Sequence, residues 1–152
     1  MARDKARQYL DPLHSIGYLS RINFRAFTKA LEELIEPHGV TAGQWRFLRV
    51  LWEKDGVTQR TLANRVGITE ATAVKGIAGL ESAGLVTREV DEADKRKMII
   101  RLTPHARRLR KKLIPMVLKV NEKALKGISQ KDVNTARKVL VRAYQNLTEE
   151  SD

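Results

Sequence analysis

The stretch VTQRTLANRVGITEATAVKGIAGLESAGLVTREVDEADKRKMIIRLT, residues 57–103, decides the fold of this chain. It predicts two short helices followed by a β-hairpin. Thr58 and Thr69 stand at N-cap positions, where a hydroxyl accepts a hydrogen bond from a free amide of the first helical turn. Gly67 and Gly84 stand where the helices end, because glycine adopts the left-handed turn without strain. Two helices joined by so short a turn form a helix-turn-helix, whose second helix fits the major groove of DNA.

The hairpin after the second helix has two β-prone arms, residues 85–90 and 98–102. The residues between the arms, 91–97, are too polar to bury and end in the three cations Lys95, Arg96 and Lys97. A hairpin with a basic tip directly after a helix-turn-helix is typical of a β-wing. The stretch therefore predicts a winged helix-turn-helix.

This arrangement resembles the MarR family of transcriptional regulators, named for the multiple antibiotic resistance regulator. The family's wing signature is an Asp, any residue, an Arg, a short strand and then Leu-Thr. Asp94, Arg96 and the pair 102–103 match it, and Arg88 follows the run Gly-Leu-Val that starts at Gly84. Helix order and chain length also match over nearly all 152 residues. One departure is an Ala after the Leu-Thr pair, at position 106, where the family often has Gly.

Helices are also predicted on the N-terminal side of the winged region. Asp11 is expected to cap a long helix that is stopped by Pro37 and Gly39. Thr41 is expected to cap a second helix that ends near residues 55–56. The fold class expected from all these elements is mainly α with a small β-wing.

On the C-terminal side, one long helix contains Pro115, which should kink it, and another begins at Ser129. The apolar stripes of the terminal helices are too extensive for one thin winged domain to cover. We therefore expect residues 1–40 and 104–152 to form a helical dimerisation region around a DNA-binding region at residues 41–103. The family resemblance implies the same dimer; the alternative is a monomeric helical bundle.

The predicted second helix has an inward and an outward face. Ala73, Ile77 and Leu80 lie at core spacing, so the outer residues are the candidates for DNA contact. Thr72 and Lys75 match positions at which the family contacts DNA. The candidates on this helix are Thr69, Glu70, Ala71, Thr72, Val74 and Lys75.

Two features of this helix have alternative interpretations. Glu70 could accept a hydrogen bond from a cytosine amine, or it could only offset the positive end of the helix dipole. Gly76 and Gly79 lower helix propensity and permit close approach either of another helix or of DNA.

The wing supplies three more DNA-binding candidates. Arg96 can enter the narrow minor groove, where the negative potential is high, and Lys95 and Lys97 can contact phosphates. Asp94 would be repelled by phosphates, so its expected role is to orient Arg96 or the wing backbone. The alternative for all three cations is an ordinary polar hairpin tip.

Composition agrees with a nucleic-acid partner. The net charge is +11, and residues 102–152 carry +7 of it. The charge is densest at Arg107, Arg108, Arg110, Lys111 and Lys112. This basic cluster has three open interpretations: a solvated helix face, contacts to flanking phosphates, or a site for a phosphorylated ligand.

Other compositional features exclude several classes. The chain contains no cysteine, which excludes disulfides and thiolate chemistry. No apolar run approaches the ~18 residues of a membrane span, and the N-terminus has no secretory apolar region, so we expect a cytoplasmic protein without a membrane partner. The histidines His14, His38 and His105 are too far apart for a metal site. Without a phosphate loop or nucleophile elbow, neither an enzyme nor a cofactor is expected.

The resemblance also implies an effector pocket between the dimer helices and the winged region, and family effectors are often aromatic acids. Arginines beside aromatic rings could hold an aromatic carboxylate or its coenzyme A thioester, although core packing is the alternative. Three runs, at residues 15–19, 44–48 and 51–53, look like a subgroup that controls aromatic-acid catabolism. The ligand candidates are Tyr18, Arg21, Phe24, Arg25, Trp45, Arg49 and Trp52.

The function expected from the sequence is a homodimeric repressor that binds a pseudo-palindromic DNA operator and responds to a small ligand. The alternative is an architectural protein that binds DNA without sequence preference and has no effector.

Overall fold

The computed structural model describes residues 2–149, and most of them are helical. In chain order the helices and strands are α1 (Ala2–Leu10), α2 (Ile16–Ile35), α3 (Ala42–Glu53), β1 (Val57–Thr58), α4 (Gln59–Val66), α5 (Glu70–Ser82), β2 (Val86–Val90), β3 (Met98–Leu102), α6 (Pro104–Ala124) and α7 (Gln130–Thr148). The predicted fold class, mainly α with a small β-wing, is confirmed.

The helix-turn-helix consists of α4 and α5 and begins and ends as predicted. Thr58 Oγ1 accepts a hydrogen bond from the amide of Thr61 at 3.1 Å, and Thr69 Oγ1 accepts one from the amide of Thr72 at 3.2 Å. Gly67 ends α4 in the left-handed conformation, with φ of +80°. These boundaries are predictable because each depends on hydrogen bonds between neighbours in the sequence.

The wing is part of an antiparallel three-stranded sheet in the order β1-β3-β2. Its two arms, β2 and β3, pair from Val86 opposite Leu102 to Val90 opposite Met98. The third strand, β1, was not predicted, because two residues are too short to show an alternating pattern. It places Val57 opposite Ile100 and so joins the start of α4 to the wing.

The core lies between α3, α4, α5, α6 and the sheet. Its members include five side chains with no exposed surface, each from a different element: Leu48, Leu62, Ile77, Ile100 and Leu113. Burying such a side chain stabilises the fold by about 1.5–3 kcal/mol relative to leaving it exposed. The winged region is therefore held by the packing of its helices against one face of the wing.

The N-terminal part differs from the sequence prediction. Asp11 does not cap the long helix; its Oδ1 accepts from the amide of Leu13 and caps a short 3-10 helix at Pro12–His14. The backbone is extended at Ser15, whose Oγ accepts from the amide of Tyr18 and starts α2. The extended residue prevents one helix from running through from Pro12, and α1 before it was not predicted.

Helix α6 continues without interruption through Pro115, and the kink predicted there stays a prediction. The contacts divide the chain into two compact units, one up to Val117 and one from Leu118 onward. Within the described residues 2–149, no helix combines the length and apolar character that a membrane span requires.

Candidate nucleic-acid interface

Helix α5 has the two faces that its sequence predicts. Ala73, Ile77 and Leu80 are fully buried against the rest of the winged region. The six residues proposed to contact DNA from this element are all exposed: Thr69, Glu70, Ala71, Thr72, Val74 and Lys75. The face is small and weakly charged, which suits contact with base edges in the major groove.

Glu70 has a partner that the sequence did not reveal. Arg60 of α4 lies 3.5 Å from its carboxylate, measured from Nε to Oε1, and both side chains are mostly exposed. The ion pair bridges the two helices of the helix-turn-helix. Because exposed ion pairs contribute little to stability, Glu70 can exchange this partner for another donor at low cost.

The two glycines of α5 have different environments. A Cβ at Gly76 would lie 2.5 Å from the ring of Phe47, so glycine is required there for α3 to approach α5. A Cβ at Gly79 would have no atom within 4 Å. The structure therefore assigns Gly76 to helix packing.

At the tip of the wing, Asp94 contacts two cations: it accepts hydrogen bonds from Arg96 and lies 3.7 Å from Lys97, measured from Oδ2 to Nζ. The Arg96 side chain is 90% exposed. Asp94 Oδ1 accepts hydrogen bonds from the Arg96 amide at 3.2 Å and from its Nε at 3.0 Å, while Oδ2 accepts from Nη2 at 3.2 Å. These bonds to Arg96 hold the pKa of Asp94 below its ordinary value of 3.8. The carboxylate thus stays charged near neutral pH, and its proposed role in orienting the wing stays a prediction.

The base of the wing is fixed to α5 and α6. Arg88, a residue of the family-like pattern, lies on β2 and forms an ion pair with Glu81 at the end of α5, with 2.7 Å between Nη2 and Oε2. Thr103 Oγ1 donates to the carbonyl of Gly84 at 2.7 Å and accepts from the amide of Ala106 at 3.2 Å. The threonine of the Leu-Thr pair thus joins the end of α5 to the first turn of α6.

Asp55, which follows α3, accepts three hydrogen bonds. Its Oδ1 accepts from the amides of Gly56 at 2.8 Å and Leu102 at 2.9 Å, and its Oδ2 accepts from Arg107 Nη2 at 2.8 Å. Burial by itself would raise the pKa of Asp55. The bonds from Leu102, Arg107 and Gly56 outweigh it and hold the pKa below the ordinary value of 3.8.

The basic cluster of α6 is exposed on the helix surface. Only Arg107 among its members has an ion-pair partner in the described part of the chain, and that partner is Asp55. Arg108, Arg110, Lys111 and Lys112 face solvent within less than two helical turns. None of the three interpretations of these four residues is excluded by their placement.

The seven ligand candidates divide into separate contacts. Trp45 and Trp52 of α3 meet edge to face, with ring centroids 5.6 Å apart, and Arg21 lies 5.3 Å from the ring centroid of Tyr18 on α2. Trp45 is buried, and Trp52 Nε1 donates to the carbonyl of Ala106 at 2.9 Å. Packing thus accounts for the two tryptophans. The exposed candidates on α2 and α3 are Arg21, Phe24, Arg25 and Arg49.

Comparison with known proteins identifies the class to which this architecture belongs. A sequence model of the MarR family matches residues 38–97. The chain is 32% identical to the transcriptional regulator HosA of Escherichia coli O157:H7 over 93 residues, which cover 61% of this chain and 69% of HosA. The chain belongs to the MarR family. It is also 33% identical to the HTH-type transcriptional regulator TtmR of Methylorubrum extorquens (strain PA1), over 58% of this chain but 45% of TtmR.

Solved MarR structures share the fold along most of the chain. CouR of Rhodococcus jostii RHA1, bound to p-coumaroyl-CoA, is 27% identical, with a TM-score of 0.73 over 91% of this chain and 94% of CouR. A MarR regulator of Listeria monocytogenes in complex with 26mer DNA has a TM-score of 0.81 over 88% of this chain and 89% of that protein. At 22% identity, the second likeness concerns the fold alone.

Family membership confirms the predicted class, a DNA-binding transcriptional regulator with a winged helix-turn-helix. The relatives are regulators rather than enzymes. In the described residues 2–149, no group of three or more acidic, histidine or cysteine side chains could hold a metal ion. The contacts of Asp55, Gly76 and Arg60 were missed because each partner is distant in sequence or on another helix.

Proposed function

We propose that the chain acts as a homodimeric repressor that binds a pseudo-palindromic operator and is released by a small aromatic acid or its coenzyme A thioester. The observation that carries the proposal is the pairing of an exposed face on α5 with an exposed, hydrogen-bonded Arg96 on the wing. A helix in the major groove and an arginine in the adjacent minor groove read DNA in complementary ways.

In this proposal the DNA contacts fall into two groups. Residues of α5 meet base edges through Glu70, Val74 and Lys75, with Thr69, Ala71 and Thr72 at the start of the helix. The wing contributes Arg96 in the minor groove and Lys95 and Lys97 at phosphates, with Asp94 orienting the arginine.

The dimer is proposed because apolar side chains remain exposed near both ends of the described chain. On α7, Leu140 and Leu147 are 50% and 87% exposed, and Tyr144 lies between them. Near the other end, Tyr9 and Leu10 of α1 are also largely exposed. A second copy of the chain would cover these residues, and a two-fold axis would place two α5 helices about one DNA turn apart.

The effector class is proposed from two supports. CouR, which is similar over nearly its whole length, was solved with p-coumaroyl-CoA, an aromatic thioester. In this chain Arg21 stacks on Tyr18, and Phe24, Arg25 and Arg49 are exposed on α2 and α3. A flat ring and a carboxylate or phosphate could be held by such residues.

A titration of labelled operator DNA tests the proposal. Arg96→Ala and Lys75→Ala should each weaken binding by about 1–3 kcal/mol if they contact bases, while Lys126→Ala, a charge change far along the chain, serves as the control. The melting temperature should hardly change, since both side chains are exposed.

Wild-type affinity in both variants would contradict the proposed contacts. Equal affinity for palindromic and scrambled DNA would favour the architectural alternative. Addition of p-coumaroyl-CoA or a free aromatic acid should release the operator, and no response to either class would remove the effector from the proposal.

A further inference from the structure

The segment from Trp52 to Thr58 contacts three parts of the molecule whose relative positions matter for DNA binding. Trp52 donates to the carbonyl of Ala106 in the first turn of α6. Val57 pairs with Ile100 of the wing, and Thr58 caps α4 of the helix-turn-helix. A short stretch thus connects α6, the wing and the DNA-reading helices.

Asp55 lies at the centre of this segment and links two of the three parts directly. One oxygen accepts from the amide of Leu102, the last residue of β3, and the other accepts from the guanidinium of Arg107 on α6. The Asp55 side chain is only 26% exposed, so water competes weakly for these bonds. One carboxylate therefore holds the base of the wing beside the first turns of α6.

Gly56, the residue after Asp55, also brings this segment close to the wing. Gly56 adopts φ of +66°, and a Cβ there would lie 2.6 Å from Nη1 of Arg101 on β3. Arg101 in turn forms an ion pair with Glu89 on β2, at 3.1 Å. Arg101 of β3 thus lies against the Asp55–Gly56 turn and connects it to β2 through Glu89, whereas the bonds described for Arg96 at the tip come from Asp94 of its own turn.

We propose that Asp55 is a positioning residue for DNA binding, which sets the direction of the wing relative to α6 through Leu102 and Arg107. A small rotation at the base of a hairpin moves its tip through a larger distance. Asp55→Asn keeps the size of the side chain and one carbonyl acceptor but removes the charge and the acceptor for Arg107. The proposal rests on the proposed contact between Arg96 and DNA.

A double-mutant cycle on operator affinity separates positioning from stability. In the wild-type background Arg96→Ala should weaken binding by about 5–150-fold. In the Asp55→Asn background the same substitution should cost less than about threefold, because a displaced tip no longer makes the contact. Ile35→Val, a core truncation in α2 that lowers stability, is the matched control and should leave the Arg96 effect unchanged. An unchanged Arg96 effect in Asp55→Asn would overturn the proposal.

A distance measurement without DNA distinguishes failure of this proposal from failure of the DNA contact. The chain contains no cysteine, so Lys95→Cys and Arg108→Cys can carry two spin labels, diluted with unlabelled protein to suppress distances between subunits. Asp55→Asn should shift or broaden the distance distribution between the wing tip and α6, and Ile35→Val should not. If Arg96→Ala has no effect on operator binding, the proposed contact between Arg96 and DNA is wrong. The distance distribution then tests the role of Asp55 by itself. An unchanged distribution in Asp55→Asn refutes positioning of the wing by Asp55.

Discussion

Helices α5 and α7 carry apolar residues at similar helical spacing, yet the α5 residues are buried and most of the α7 residues are exposed. Ala73, Ile77 and Leu80 of α5 are fully buried within the winged region. Leu140 and Leu147 of α7 are largely exposed within the same chain. An apolar stripe thus identifies a face that needs a partner, but the partner can be the same chain or another one.

The sharpest test of this difference is truncation of the buried stripe. Ile77→Ala removes three carbons from a fully buried side chain, so the free energy of unfolding should fall by about 2–5 kcal/mol. Denaturant unfolding monitored by circular dichroism measures the change, and it should be the same at every protein concentration.

The matching substitution on α7 is Leu140→Ala. In dilute protein, where subunits are separated, it should change stability by no more than about 0.5 kcal/mol, because the side chain is half exposed. At high concentration the loss should grow as the dimer forms, since binding between subunits adds to stability by mass action. A loss that is large and independent of concentration would show that α7 is buried by its own chain.

A second test compares two positions on α5 itself. Gly76→Ala places a Cβ against Phe47 and should destabilise the fold by about 1–3 kcal/mol through overpacking. Gly79→Ala meets open space and should stabilise the helix by about 0.5–1 kcal/mol. Thermal unfolding of the two variants should therefore shift in opposite directions. Equal shifts would mean that α3 and α5 are not as close as described.

The smallest expected effect is the pH dependence of stability that Asp55 contributes where it links the wing to α6. The pKa of Asp55 is lowered in the folded chain, so its stabilising contribution is present above its ordinary value of 3.8 and is lost as the pH falls through the folded value. Asp55→Asn should be less stable than wild type near neutral pH, and the difference should shrink below pH 3.8. Asp94→Asn should show a weaker trend, because that carboxylate lies in an exposed turn.

The elements of the winged region were predictable where hydrogen bonds and glycines act locally. Thr58, Thr69 and Gly67 define α4 and the start of α5 through bonds to residues no more than four positions away. The start of α2 was predicted at Asp11 instead of Ser15, because both residues cap a helix: Asp11 caps the three-residue 3-10 helix at Pro12–His14, and Ser15 caps α2. The exposure of the candidate DNA-binding residues on α5 was predictable from the helical spacing of its apolar residues.

What depended on distant partners could not be predicted. Asp55 is 47 positions from Leu102 and 52 from Arg107, and no local pattern distinguishes its carboxylate from that of an ordinary surface aspartate. The same holds for the ligand candidates, among which Trp52 uses its indole N–H for the carbonyl of Ala106. Trp45 is buried and Trp52 is hydrogen-bonded only because of how the helices pack, which the local sequence does not show.

The sequence by itself determined the family, the caps of α4 and α5, the wing and the inward face of α5, because these depend on short-range hydrogen bonds and on the helical period. Only the tertiary structure decided that Gly76 admits Phe47, that β1 completes the sheet and that Asp55 joins the wing to α6. The physical reason is that a carboxylate, a glycine or a two-residue strand acquires its role from atoms that the chain brings near it only after folding.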